Sequence, residues 1–70
     1  MRTLLVISAA SAIDHGTSLY IDQKFRSGAE YYAAHWPGRV RCLLPSTDAR
    51  FPFGETVARD DISFDVEVIP

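Results

Sequence analysis

The run Thr3-Leu4-Leu5-Val6-Ile7-Ser8-Ala9 is the feature that most constrains this chain. Its length suits a strand, and its apolar residues occupy successive positions instead of alternating ones. Neighbouring side chains of a strand point to opposite faces, so this strand expects cover on both, as in a parallel α/β sheet. The period then changes. Ala10 to Gly16 reads as a loop of small residues ending in Asp14-His15-Gly16, where Asp favours a turn and Gly accepts positive φ. With Thr17 or Ser18 as N-cap, Ile21, Phe25, Ala29, Tyr32 and Trp36 fall at spacings of four, four, three and four. That is one apolar stripe of a helix. The spacing predicts a helix over Thr17–His35, with Gly28 permitting a close approach to the sheet and Pro37-Gly38 ending it.

Arg39 to Leu44 follows at once as a second strand, with Val40, Cys42 and Leu44 on one face. Pro45 to Asp61 reads as loop. Ile62 to Ile69 alternates: Ile62, Phe64, Val66 and Val68 on one face, Ser63, Asp65, Glu67 and Ile69 on the other. Strand, helix, Pro-Gly break and strand make a βαβ unit. The expected class is therefore α/β: a partial Rossmann-like β-α-β-β unit, a three-stranded parallel sheet with one long helix. The strands grade from apolar on both faces, through mixed, to cleanly alternating. Burial is expected to fall in that order, giving the spatial order 3-2-1 with the third strand at an edge. The order 2-1-3 would place Asp65 and Glu67 in mid-sheet. One crossover helix covers one face only, whereas the first strand expects two. Residues 1–70 are thus read as the opening part of an incomplete doubly wound domain, with the rest of the parent as its missing partner.

Composition narrows the functional classes. With 70 residues the chain is at most one small domain, of the size that often needs a staple. One cysteine cannot form an internal disulfide, and Cys42 with His15 and His35 makes no zinc-ligand spacing. Hydrophobic residues at 47% and charged ones at 23% still demand a core. The seven basic residues are spread along the chain against nine acidic ones, so no basic face for nucleic acid is expected. No apolar run approaches the roughly 20 residues of a membrane span. Ser8, Ser11 and Asp14 interrupt what would otherwise resemble a signal peptide, so the expected compartment is the cytoplasm.

Ligands of open α/β sheets bind beyond the carboxyl ends of the strands. That rule singles out Ser11, Asp14, His15, Gly16 and Thr17 as candidate substrate-binding residues. They supply hydroxyls, a carboxylate, an imidazole and a glycine ahead of a helix N-terminus that favours phosphate or carboxylate. His15 is the candidate for a proton or hydrogen-bond role in catalysis. The plainer reading is a connection in which Asp14 caps the turn and His15 faces water. The loop has no G-x-G-x-x-G and no P-loop, and the chain has no G-x-S-x-G elbow. Asp60-Asp61 reads as solvated loop before it reads as a metal pair, and Cys42 as a small buried hydrophobe. Phe25, Tyr32 and Trp36 read as core. Tyr20 and Tyr31 fall off the stripe and read as partly exposed. Phe51-Pro52-Phe53-Gly54 is a hydrophobic loop suited to a lid or a contact.

The opening strand Arg2–Ala9, the Asp14-His15-Gly16 loop, the segment from Ile21-Asp22-Gln23-Lys24-Phe25 to Trp36, the strand Val40–Leu44, Phe51-Pro52-Phe53-Gly54 and the strand Phe64–Pro70 together resemble the N-terminus of bacterial GT-B glycosyltransferases. The likeness is to the retaining group 1, family 4-like enzymes of exopolysaccharide, capsule and lipopolysaccharide assembly, and it spans essentially the whole chain. Many of these enzymes carry Gly-Gly after the first strand, where this chain has Ala-Ser-Ala-Ile-Asp-His-Gly. The resemblance implies an acceptor-side Rossmann-like domain for a glycan or lipid-linked acceptor. The nucleotide-sugar donor and a paired-glutamate motif belong to a second domain, and nothing here resembles it. The segment is thus expected to bind no cofactor and metal of its own and to be inactive alone, in a parent that is cytoplasmic or peripheral to the inner membrane. Two other readings are the start of a different Rossmann-like enzyme, such as a sugar-nucleotide epimerase or dehydrogenase, and a small self-associating interaction module.

Overall fold

The computed structural model describes residues Arg2–Pro70. It is an α/β fold in which one helix and two three-stranded sheets enclose a single core. The parallel sheet has the order β1 (Arg2–Ile7), β4 (Gly38–Pro45), β6 (Asp65–Ile69). The expected order of the parallel strands is therefore observed. Leu5 pairs with Arg41, which pairs with Asp65. One face carries Leu4, Val6, Val40, Cys42, Leu44, Phe64, Val66 and Val68 into the core. The other carries Thr3, Leu5, Ile7, Arg39, Arg41, Leu43, Asp65, Glu67 and Ile69, and ion pairs Arg39–Asp65 (2.7 Å) and Arg41–Glu67 bridge its centre. These pairs are exposed and contribute little to stability.

The second sheet departs from expectation. It is antiparallel, in the order β2 (Ile13–Asp14), β3 (Ser18–Asp22), β5 (Gly54–Ala58). It closes the core from the side that the helix leaves open, through Leu19, Ile21 and Val57. The helix α1 runs only over Gln23–His35, not from Thr17. Ser18 to Asp22 is extended because Leu19, Tyr20 and Ile21 are all buried in succession, which one helical stripe cannot achieve. Ile21 keeps its spacing to Phe25 because it enters the same core from the strand just before the helix. The N-cap is Asp22, whose carboxylate accepts from Phe25 N–H at 3.0 Å, in place of Thr17 or Ser18. At the other end Trp36 N–H reaches Tyr32 O at 2.8 Å before Pro37 stops the helix. Tyr32 lies exposed, so the stripe narrows to Phe25, Ala29, Ala33 and Trp36. Gly28 faces open space, not the sheet.

The stretches read as loop also carry structure. Ala12 bridges to Ser46, and Pro45 to Asp61 contains β5 and a 3₁₀ turn at Arg59–Asp61. The third parallel strand is correspondingly shorter than Ile62–Ile69. Burial does not fall from the first strand to the third. Leu5 and Ile7 are 52% and 75% exposed, whereas Val40, Cys42 and Leu44 of the central strand are buried. Position explains this: among the described residues β1 has a neighbour on one side and cover on one face. Gly38 begins β4 where a Cβ would overlap Arg2 O, so the close start of the two strands requires glycine.

Candidate functional site

The five residues singled out from sequence divide between two places. Asp14 to Ser18 form the tip of the β2–β3 hairpin, not the entry to the helix. His15 N–H donates to Ser18 O at 2.9 Å, and Gly16 takes φ +86°. Asp14 Oδ1 accepts from Gly16 N–H at 2.8 Å and from Arg59 at 3.1 Å. These donors, the Gly16 amide first and the Arg59 guanidinium second, hold the Asp14 carboxyl below its ordinary value. Arg59 also donates to Gly16 O at 2.6 Å and Val66 O at 2.8 Å, and its amide donates to Thr17 O at 2.9 Å. The tip is thereby tied to the outer edge of β6. His15 is exposed there. Asp14 and Arg59 border a polar depression of about 440 Å³ shared with Arg39, Arg41, Asp65 and Glu67. The charges in it are already paired with one another, so it presents no free cation to an anion.

Ser11 lies elsewhere, in a crevice of about 360 Å³ lined by Ala10, Ser11, Asp22, Thr47, Ala49, Arg50 and Phe51. This volume is within the range of small-ligand sites. Its position follows from topology. Ala10 and Ser11 leave the carboxyl end of β1, and Thr47 leaves that of β4; Thr47 N–H donates to Ala12 O at 3.0 Å and Ala12 N–H to Pro45 O at 2.9 Å. Arg50 lies over the Tyr20 ring, 4.5 Å from its centroid, and Phe51 packs on the same ring at 4.9 Å. The Tyr20 hydroxyl donates to Phe51 O at 2.6 Å, so Tyr20 is buried and organises this wall.

The crevice combines hydroxyls, a carboxylate, a guanidinium and an aromatic ring. It does not present a helix N-terminus to phosphate, because Asp22 caps that end itself and Gln23 N–H is taken by Phe53 O at 3.0 Å. No histidine, cysteine or lysine lines it. The groups that do line it can donate and accept hydrogen bonds and offer one aromatic face to a ligand. Among the described residues no group of His, Cys, Asp and Glu is placed to hold a metal ion, and Asp60 and Asp61 stand exposed on the 3₁₀ turn. Cys42 is buried, and burial pushes its thiol up to about 11, so it is inert at neutral pH.

Asp22, Thr47 and Arg50 carry no site assignment in the sequence reading, and Phe51 enters it only within the hydrophobic loop suited to a lid or a contact. Thr47 follows a parallel strand directly, so the carboxyl-end rule that found Ser11 also points to it. Asp22 carries a cap signature that the overlong helix concealed. Arg50 and Arg59 are single charges in apparent loop and carry no local signal. No helix among the described residues is long and apolar enough to cross a membrane. No protein-family model, curated protein or solved structure matches the chain.

Proposed function

We propose that this chain is the acceptor-holding opening segment of a GT-B-type glycosyltransferase, with the crevice at the carboxyl ends of β1 and β4 as the place where a glycan or lipid-linked acceptor rests. The observation that carries the reading is the lining of that crevice: Ser11 and Thr47 hydroxyls, the Asp22 carboxylate, the Arg50 guanidinium and the Phe51 ring in about 360 Å³. Sugar hydroxyls need donors and acceptors together, and an aromatic face suits the apolar side of a pyranose. A parallel sheet with cover on one face supports the view that these residues form part of a Rossmann-like domain. Donor binding and the transfer step belong to the remainder of the parent, so the chain alone transfers no sugar.

The test is an NMR titration of the ¹⁵N-labelled chain. Neutral oligosaccharides at roughly millimolar concentration are expected to shift Ser11, Thr47, Ala49 and Arg50, whereas nucleotide sugars leave them unmoved. Arg50→Ala removes the response while circular dichroism reports the fold. In the parent enzyme the same substitution raises KM for the acceptor and leaves KM for the donor unchanged. Shifts with nucleotide sugars alone, or with neither class, contradict the reading.

A further inference from the structure

Arg50 differs from the other arginines around the sheets and the helix, and the difference names a chemical group. Arg26, Arg39, Arg41 and Arg59 each meet a carboxylate of the chain. The Arg50 guanidinium meets none among the described residues, although Asp48 lies close before it in sequence and Asp22 lines the same crevice. It is nonetheless held in place, over the Tyr20 ring at 4.5 Å from the centroid. That ring is itself fixed. Its hydroxyl donates to Phe51 O at 2.6 Å, the Phe51 ring tilts against it, and Gly54 leaves it room where a Cβ would overlap the ring. Thr47 Oγ1 accepts from Ala49 N–H at 3.3 Å and steadies the turn that leads to Arg50. A guanidinium seated on a fixed ring keeps its in-plane N–H donors for a planar acceptor. It also loses less freedom on binding than an arginine side chain with no support.

We propose that this crevice takes the carboxylate of an acidic sugar, a hexuronate residue of the acceptor, with the Arg50 guanidinium forked onto it. The proposal rests on the acceptor reading above and narrows it to one class of sugar. A carboxylate is planar and accepts two parallel N–H bonds from one guanidinium. The rest of the lining suits the rest of such a sugar. Asp22 Oδ1 accepts from Phe25 N–H at 3.0 Å, and its second oxygen has no partner among the described residues, so it is free to accept from a sugar hydroxyl. The Ser11 and Thr47 hydroxyls both give and accept, and about 360 Å³ leaves room for a sugar ring with its substituents. Asp22 also limits the charge of the ligand. A monoanion finds its counter-charge at Arg50. A phosphate dianion brings a second negative charge into a crevice that already holds a carboxylate and has no second cation lining it.

NMR titration of the full ¹⁵N-labelled chain tests this with sugars of one shape: methyl glucoside, methyl glucuronide and the methyl ester of that glucuronide. Methyl glucoside 6-phosphate is the remaining probe. The glucuronide is expected to bind about tenfold more tightly than the glucoside or the ester, with shifts at Ser11, Thr47 and Arg50. Added salt is expected to shrink that preference. The 6-phosphate is expected to bind more weakly than the glucuronide. Arg50→Gln removes the charge and the fork, and is expected to bring the ratio of glucuronide to ester affinity down to about one, with circular dichroism reporting the fold. The comparison of glucuronide with ester on the unaltered chain needs no variant. Equal affinity for glucuronide, ester and glucoside would overturn the inference and leave the acceptor reading standing. So would a 6-phosphate that binds as tightly as the glucuronide, or a glucuronide preference that survives Arg50→Gln. No shift with any of these sugars would overturn the acceptor reading together with the inference.

Discussion

β1 and β4 lie side by side in one sheet and reverse what their sequences advertise. β1 is apolar on both faces, yet Leu5 and Ile7 are 52% and 75% exposed. β4 carries Arg39 and Arg41, yet it holds the fully buried Cys42 and Leu44. The difference lies in position. β4 has a strand on each side, and its core face meets the helix and the antiparallel sheet; its arginines are turned outward, toward Asp65 and Glu67. β1 has one neighbour, and its second apolar face has no cover among the described residues. Hydrophobicity in a strand records the surface it is able to bury, and the neighbours decide how much of it is buried.

Truncation on the two strands sharpens this contrast most. Leu44→Ala empties a fully buried site, and we expect a loss of about 3 kcal/mol in urea unfolding. Leu5→Ala, the same chemical change on the open face, is expected to cost under about 1 kcal/mol in the single copy. Equal losses would mean that the β1 face is covered within one chain.

The next largest effect separates the open edge at β1 from the guarded edge at β6. Arg59→Ala removes bonds to Asp14, Gly16 and Val66 at once, and we expect a loss of about 1–2 kcal/mol in urea unfolding together with a greater tendency to associate as the β6 edge opens. The same junction carries a pH signature. The folded Asp14 carboxyl is held below the ordinary 3.8, so the stability it contributes is present above that pH and is lost as pH falls through the lowered value. Acid titration followed by NMR is expected to loosen the hairpin tip before the core. Asp14→Asn abolishes that early transition; a tip that loosens in both proteins at the same pH would contradict the role given to the carboxylate.

The smallest effect has the opposite sign. Gly28 sits exposed in mid-helix with open space where a Cβ would stand. Gly28→Ala is expected to stabilise the chain by about 0.5–1 kcal/mol in thermal unfolding, through backbone entropy alone. A loss would place a neighbour against this face.

Legibility in the sequence followed the range of the interactions. The first two parallel strands and the helix C-terminus are set by local hydrophobic runs and by Pro37-Gly38, and they are found where the residues indicate them, whereas the third strand begins at Asp65, later than the alternation from Ile62 indicates. The helix start was obscured because Ile21 meets the same core from a strand. β5 has one buried side chain, Val57, and is extended because it pairs with β3, more than thirty residues earlier in the chain, from Ser18–Ala58 to Asp22–Gly54. No window of sequence contains that pairing. The candidate site shows the same division: Ser11 is legible from its place after β1, whereas Arg50 acquires its position only from stacking on Tyr20.

Amide hydrogen exchange along β1 tests the central claim most directly, because it reads the open edge residue by residue. In dilute solution the account predicts alternation: Leu4, Val6 and Ser8 amides protected by β4, Thr3, Leu5 and Ile7 amides exchanging fast. Equal protection of all six amides, or protection of Thr3, Leu5 and Ile7 with Leu4, Val6 and Ser8 exchanging fast, would contradict the account.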